Sequence, residues 1–342
     1  MKTLTRSCLT CATAVFAATA LSAQTYSVTK LVSDVSGVAT FTDPNLVNPW
    51  GLAAAGTAPW WVSDNGTGLS TLYDGQGNIQ SLVVNVPPGA TGGKTGTPTG
   101  IVANTSSSFG GSFFIFDSED GTIQTWAGAP GTTIVVDNGT AAVYKGLAMA
   151  QISTSNILYA ANFRSGKVEA YNTSFKPVSL PAGAFTDSTL PAGYAPFNVQ
   201  TIGGDIFVAF AEQDSAKHDE VDGPGLGYVD KFNPSGKLLM RLQHGSYMNA
   251  PWGIALAGSN FGTFSNDLLV GNFGSGAVVA FDPTTGKVKG TLTNSSNKPI
   301  VIPGLWALGF GQGGTNGPSD WLYFTAGIKS EAHGLFGFFA PQ

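Results

Sequence analysis

Pro251-Trp252-Gly253-Ile254-Ala255-Leu256-Ala257, followed by Asp267-Leu268-Leu269-Val270-Gly271-Asn272-Phe273-Gly274-Ser275-Gly276-Ala277-Val278-Val279-Ala280-Phe281-Asp282, decides the fold. It reads as three short apolar runs separated by Gly, Ser and Asn turns, which is strand punctuation and not helix periodicity. Its opening element, a Gly or small residue followed by an aliphatic, returns six times. The copies are Trp50-Gly51-Leu52, Thr99-Gly100-Ile101, Lys145-Gly146-Leu147, Phe197-Asn198-Val199, Trp252-Gly253-Ile254 and Trp306-Ala307-Leu308. Between the middle residues the spacings are 49, 46, 52, 55 and 54. A repeat of about 40–50 residues carrying several strands is the signature of propeller blades.

Each copy continues alike. A second apolar run follows, as in Trp60-Trp61-Val62, Ile157-Leu158-Tyr159-Ala160 or Leu322-Tyr323-Phe324, and then a third run ending in an aromatic, as in Lys167-Val168-Glu169-Ala170-Tyr171. Outer strands are legible at Ile79 to Val84 and at Lys287 to Leu292. No stretch carries helical periodicity of useful length. The sixth copy ends at Gln342 with no outer strand, while Tyr26 to Val32 alternates as a strand without a blade of its own. An open sheet edge is a liability, so the N-terminal strand is expected to complete the last blade and close the ring. The expectation is an all-β fold: a six-bladed β-propeller of four-stranded antiparallel blades, spanning residues 24–342 as one domain.

Composition agrees. The 342 residues include 46 Gly and 19 Pro, are 42% hydrophobic and only 11% charged, which describes a packed domain with many tight connections. A net charge of −5 with no Lys/Arg cluster argues against a nucleic-acid partner. Residues 1–23 read as a secretion signal: Lys2 and Arg6, a short apolar run from Cys8 to Leu21, and small residues before Ala23. The run is too short for a membrane span and no later run reaches the roughly 20 apolar residues one needs. Cys8 and Cys11 fall inside the signal, so the mature chain is expected to carry no cysteine and no disulfide. A secreted monomer, periplasmic or extracellular, is the expectation.

Several stretches carry a resemblance. Asp43-Pro44-Asn45-Leu46-Val47-Asn48-Pro49-Trp50-Gly51-Leu52, Lys217-His218-Asp219-Glu220, Ala250-Pro251-Trp252-Gly253, Leu269-Val270-Gly271-Asn272-Phe273-Gly274 and Leu322-Tyr323-Phe324-Thr325-Ala326-Gly327 resemble a family of secreted bacterial proteins of unknown function. The repeat unit is similar in outline to the NHL-type blade. The resemblance covers essentially the whole mature chain and implies a secreted six-bladed propeller. It brings no catalytic residues with it.

Antiparallel strands put the turns of a blade alternately on two faces of the disc. The loop between second and third strands shares a face with the chain entering the next blade, and rigid scaffolds carry their sites on such loops. That face gathers Asp64, Asn65, Asn162, Arg164, Asn272, Trp252, Trp306 and His333 as candidate ligand contacts. For Asn162 and Asn272 a turn role is favoured, and for Trp50, Trp252 and Trp306 a packing role. His333 is placed to approach His218 across the mouth of the ring, although a lone histidine of this kind is usually structural. Asp117-Ser118-Glu119-Asp120-Gly121 looks partly like a calcium loop, but Asp-Gly is also a common tight turn and the structural reading is favoured.

The fourth copy departs from the rest. Its loop, Glu212 to Gly227, is longer and holds Glu212, Asp214, Lys217, His218, Asp219, Glu220 and Asp222 in an otherwise charge-poor chain. Asp214, Asp219 and Asp222 are candidate ligands of Ca²⁺ or another divalent cation. His218, Glu212 and Asp214 are candidate catalytic acid/base groups. Three functions fit: a binding module for a small polar ligand, a glycan or a protein; a divalent-cation-dependent lactonase- or lyase-type enzyme at the channel mouth; or a structural surface protein. No nucleophile elbow, zinc-protease, Walker or dinucleotide motif is present, and the binding module is favoured over an enzyme.

Overall fold

The computed structural model describes residues 24–342; the secretion signal read at residues 1–23 lies outside the described residues. Six small sheets stand around one axis. Blade 1 comprises Pro49–Ala53, Trp60–Asp64, Leu69–Tyr73 and Val84–Asn85. Blade 2 comprises Pro98–Ala103, Phe114–Ser118, Thr122–Trp126 and Thr133–Asp137. Blade 3 has three strands, Tyr144–Ile152, Ser155–Asn162 and Lys167–Tyr171. Blade 4 comprises Tyr194–Ile202, Asp205–Gln213, Tyr228–Phe232 and Leu238–Arg241, with Glu220–Val221 added beside its second strand. Blade 5 comprises Pro251–Leu256, Leu268–Asn272, Val278–Phe281 and Val288–Thr291. Blade 6 comprises Leu305–Phe310, Leu322–Ile328, His333–Pro341 and the N-terminal strand Tyr26–Ser33.

The N-terminal strand runs antiparallel to His333–Pro341, with Tyr26 opposite Pro341, and closes the ring as expected. The first strand of each blade packs on the first strand of the next, and blade 6 returns to blade 1. Two outer strands fall short of the sequence reading. In blade 1, Ile79 to Val84 is reduced to a Tyr73–Ile79 bridge and the pair Val84–Asn85, and in blade 3 only a Tyr171–Pro177 bridge remains. The outer rim is the least buried part of a blade, so turn residues there face little penalty for leaving the ladder. Helical structure among the described residues amounts to 3₁₀ turns of three residues.

The recurring glycine has a steric cause. A Cβ on Gly51 would lie 2.4 Å from the Thr99 carbonyl oxygen, and one on Gly253 would lie 2.5 Å from that of Trp306. At these two positions the inner strands approach backbone to backbone, which only a residue without a side chain permits. Between blades the interior is apolar. One such cluster joins Val62 and Tyr73 of blade 1 to Tyr323 and Phe336 of blade 6.

Candidate functional site

The residue preceding the glycine or its substitute in each opening element is buried: Trp50, Thr99, Lys145, Phe197, Trp252 and Trp306. Four are aromatic, and with Phe163 they form a plug. Trp50 stacks on Trp306 with ring centroids 3.5 Å apart and meets Trp252 edge-on at 6.1 Å. Trp252 donates from Nε1 to the Lys145 carbonyl oxygen at 2.9 Å, tying blades 5 and 3 across the axis. The plug closes the channel and makes a floor for one mouth of the ring.

On that floor lies the exception in the row. The Lys145 side chain is wholly buried, and its Nζ sits 4.9 Å over the Trp50 ring. It donates to Glu119 Oε1 and, at 3.2 Å, to Asp219 Oδ1. A buried ammonium is tolerated only when paired and hydrogen-bonded. Burial alone would depress its pKa, but the carboxylates of Glu119, Glu220 and Asp219 outweigh that effect and hold the ammonium above its ordinary value. Lys145 is therefore a fixed positive charge and not a nucleophile at neutral pH.

The carboxylates come from three blades. Glu119 leaves the blade 2 turn and accepts from Asn65 Nδ2 of blade 1 at 2.8 Å. Asp219 and Glu220 come from the enlarged blade 4 loop. There Glu212 and Gln213 pair with Val221 and Glu220 as a short ribbon. Asp214 caps its tip, accepting from the His218 N–H at 2.8 Å. His218 Nδ1 lies 2.8 Å from Asp219 Oδ1. That bond raises the imidazole above its ordinary value and draws the Asp219 carboxyl well below the usual carboxylate range.

Glu331 comes from blade 6 and accepts from Asn48 Nδ2 at 2.8 Å, while Asn48 Oδ1 accepts from Trp306 Nε1 at 3.0 Å. It ends a run of three left-handed residues, Lys329, Ser330 and Glu331 at φ 54, 54 and 64. Such a conformation costs a non-glycine residue on the order of 1–2 kcal/mol. Non-glycine residues held this way cluster at functional sites.

These groups line a cavity of about 590 Å³ bounded by Trp50, Glu119, His218, Glu220, Phe273 and Glu331 among others. Burial pushes the Glu220 carboxyl up to about 7; Lys145 opposes the shift, and Glu331 and Asp219 add to it. Burial also raises Glu331, against its bond from Asn48. Glu119 and His218 are shared with a neighbouring cavity of about 300 Å³ that includes Arg164 and Asp120.

The residues singled out in the sequence are distributed unevenly. His218, Asp219 and Asp222 line the mouth, Asn65 orients Glu119, and Arg164 lines the neighbouring cavity. Asp64 is wholly buried, its carboxyl raised well above the usual range by burial. Asn162 and Asn272 hold turns, accepting from the Ser165 and Asn249 N–H groups. Trp306 and Trp252 belong to the plug, and Trp50 is the tryptophan that lines the cavity. Glu212 lies beside Tyr194. His333 sits 2.6 Å from Asp34 Oδ2 through Nδ1, and the residues of its loop that line the mouth are Ser330 and Glu331. Lys145, Glu119, Glu331 and Asn48 were missed. The signal for Lys145 was in the row itself, a lysine where four of six copies carry an aromatic.

Comparisons with known proteins place the chain. It is 30% identical over 330 residues to an uncharacterized protein of Acanthamoeba polyphaga mimivirus, covering 92% of this chain and 80% of the relative. A second uncharacterized protein of the same virus is 29% identical over 337 residues, covering 92% and 85%. The chain belongs to their family. These relatives are viral and lend no support to a bacterial family. No family model matches. Among solved structures, it is similar to a protein of unknown function from Bacteroides thetaiotaomicron, with TM-score 0.58 and 11% identity over 93% of this chain and 76% of that one. Virginiamycin B lyase from Staphylococcus aureus gives TM-score 0.52 and 10% identity over 92% and 99%. A glucose dehydrogenase gives 0.53 and 13% over 91% and 99%. At such identities the likeness is one of fold, which hosts many unrelated functions.

Proposed function

We propose that this protein is a secreted binding module that takes a small polar ligand in the mouth of the ring. One observation carries the reading: an open cavity of about 590 Å³ whose wall holds Glu119, Asp219, Glu220, Asp222 and Glu331 against the single ammonium of Lys145. A rigid concave site with a few converging polar groups over an aromatic floor is the usual form of a small-ligand pocket. The fixed Lys145 and the Asn48 and Asn65 bridges keep the wall in place before any ligand arrives, which lowers the ordering cost of binding. Thermal melts of the mature protein against a panel of amines, amino acids, sugars and divalent salts test it. Upward shifts with one class, lost in Asp222→Arg at the rim, support the reading. A panel with no shift, or shifts indifferent to Asp222→Arg, counts against it.

The cation-dependent lactonase or lyase reading is favoured by one observation. Glu119, His218 and Asp219 each offer a ligand atom within 4.8 Å of the others. Against it, Glu119 Oε1 and Asp219 Oδ1 already accept from Lys145, so a metal there would face a buried ammonium. Equilibrium dialysis with CaCl₂ and ZnCl₂, repeated on Glu119→Gln, separates the two. Stoichiometric metal lost in the variant would favour the enzyme reading.

A further inference from the structure

We infer that the Glu220–Glu331 side of the mouth seats a protonated amine, so that the polar ligand is an organic cation. The inference rests on the mouth being the binding site. Its starting point is how charge is divided around the cavity. Lys145 is spent on Glu119 and Asp219, and Asp219 is further engaged by His218. On the other side Lys145 acts only electrostatically, with no hydrogen bond to Glu220 or Glu331. The Glu220 carboxyl is partly buried on the cavity wall, and no side chain among the described residues hydrogen-bonds or ion-pairs with it. A polar group taken out of water without a partner is costly, and a carboxylate more so. Glu331 is held through Oε2 by Asn48, while its Oε1 has no partner among the described residues. Lys145 offsets the repulsion of Glu331 and Asp219 on Glu220 without reaching hydrogen-bond distance, so a ligand that brings positive charge and hydrogen-bond donors suits this pair of carboxylates.

The wall decides what kind of cation. Trp50 and Phe273 line the cavity beside the carboxylates. A hard metal ion wants six to eight converging oxygens at about 2.3–2.6 Å, and ring carbons offer it nothing. An alkylammonium suits the same wall: its charge meets the carboxylates and its carbon chain lies on the rings, where cation–π attraction adds to apolar contact. The protein does this with its own amine, since the Lys145 ammonium rests over Trp50 between two carboxylates. A volume of about 590 Å³ also suits a small organic molecule and far exceeds a bare ion.

Calorimetric titrations with 1,4-diaminobutane, 1,4-butanediol and CaCl₂ test the inference on the mature protein. The diamine is expected to bind, the diol and calcium are not, and the diamine affinity should fall at least tenfold in Glu220→Gln and in Glu331→Gln. Both variants are near-isosteric, and the contrast among the three probes on the unaltered protein does not depend on them. Equal binding of diol and diamine would overturn the amine and leave the mouth a polar site. Calcium binding with a silent diamine would overturn it in favour of a metal. Silence from all three overturns it as well, and the broader panel with Asp222→Arg then decides separately whether the mouth binds anything.

Discussion

The two sides of the mouth are made of the same residue types and differ in one respect. On the Glu119–Asp219 side the fold supplies its own cation, and the carboxylates are spent on Lys145, His218 and Asn65. On the Glu220–Glu331 side it supplies a single amide, Asn48, to one oxygen of one carboxylate. The first arrangement is a structural device that pins three blades together over the plug. The second leaves charge facing a cavity. Acidic residues at a propeller mouth are therefore not equivalent, and the count of partners separates scaffold from site.

The strongest way to break this comparison is Lys145→Met. It leaves Glu119 and Asp219 without their cation, and removing one partner of a buried ion pair costs about 3–5 kcal/mol. Urea denaturation reads the loss. A change under about 1 kcal/mol would mean the paired side is not a structural unit. Next comes Gly327→Ala, whose Cβ would lie 2.2 Å from Asn48 Oδ1, the residue that positions both Trp306 and Glu331. Overpacking of this kind costs about 1–3 kcal/mol and should lower the melting temperature. A neutral result would show that Asn48 can yield.

A pH series sharpens the contrast from the unpaired side. Glu220 has a folded pKa near 7, above its ordinary 4.5. A raised carboxyl contributes stability that is full below 4.5 and lost as pH rises through about 7. His218, also raised, adds a decline in the same direction above 6.5. Asp219 works oppositely: its depressed pKa gives stability present above 3.8 and lost on acidification. Urea midpoints from pH 5 to 8 should therefore fall, and Glu220→Gln should flatten the slope. A slope unchanged in that variant would place the titrating group elsewhere; Asp117, also raised to about 7 by burial, is tested by Asp117→Asn. The smallest effect is expected from Lys329→Gly, where φ is 54. Relief of left-handed strain, offset by the added freedom of the unfolded chain, should stabilise by no more than about 1 kcal/mol. Destabilisation instead would mean the Lys329 side chain itself holds the loop.

The enlarged loop Glu212 to Gly227 was legible because its charge stood out against a charge-poor chain, and it does deliver His218, Asp219, Glu220 and Asp222 to the mouth. His333 was a weaker inference, since a short loop fixes which residues are near the mouth but not which one turns inward. Three consecutive left-handed residues settle that in favour of Glu331, and nothing in the pattern of Lys329, Ser330 and Glu331 announces them. Glu119 was hidden by a turn motif that explains its neighbours equally well.

Local rules were enough for the architecture. Strand length, turn residues and a six-fold repeat are properties of adjacent residues, and closure by Tyr26–Ser33 follows from the need to pair an edge. The site is of another kind. Lys145, Glu119, Asp219 and Glu331 lie in four different blades, and each acquires its role only from the others. Burial and pairing of charge depend on distances across the ring axis, which the chain fixes only when the ring has closed.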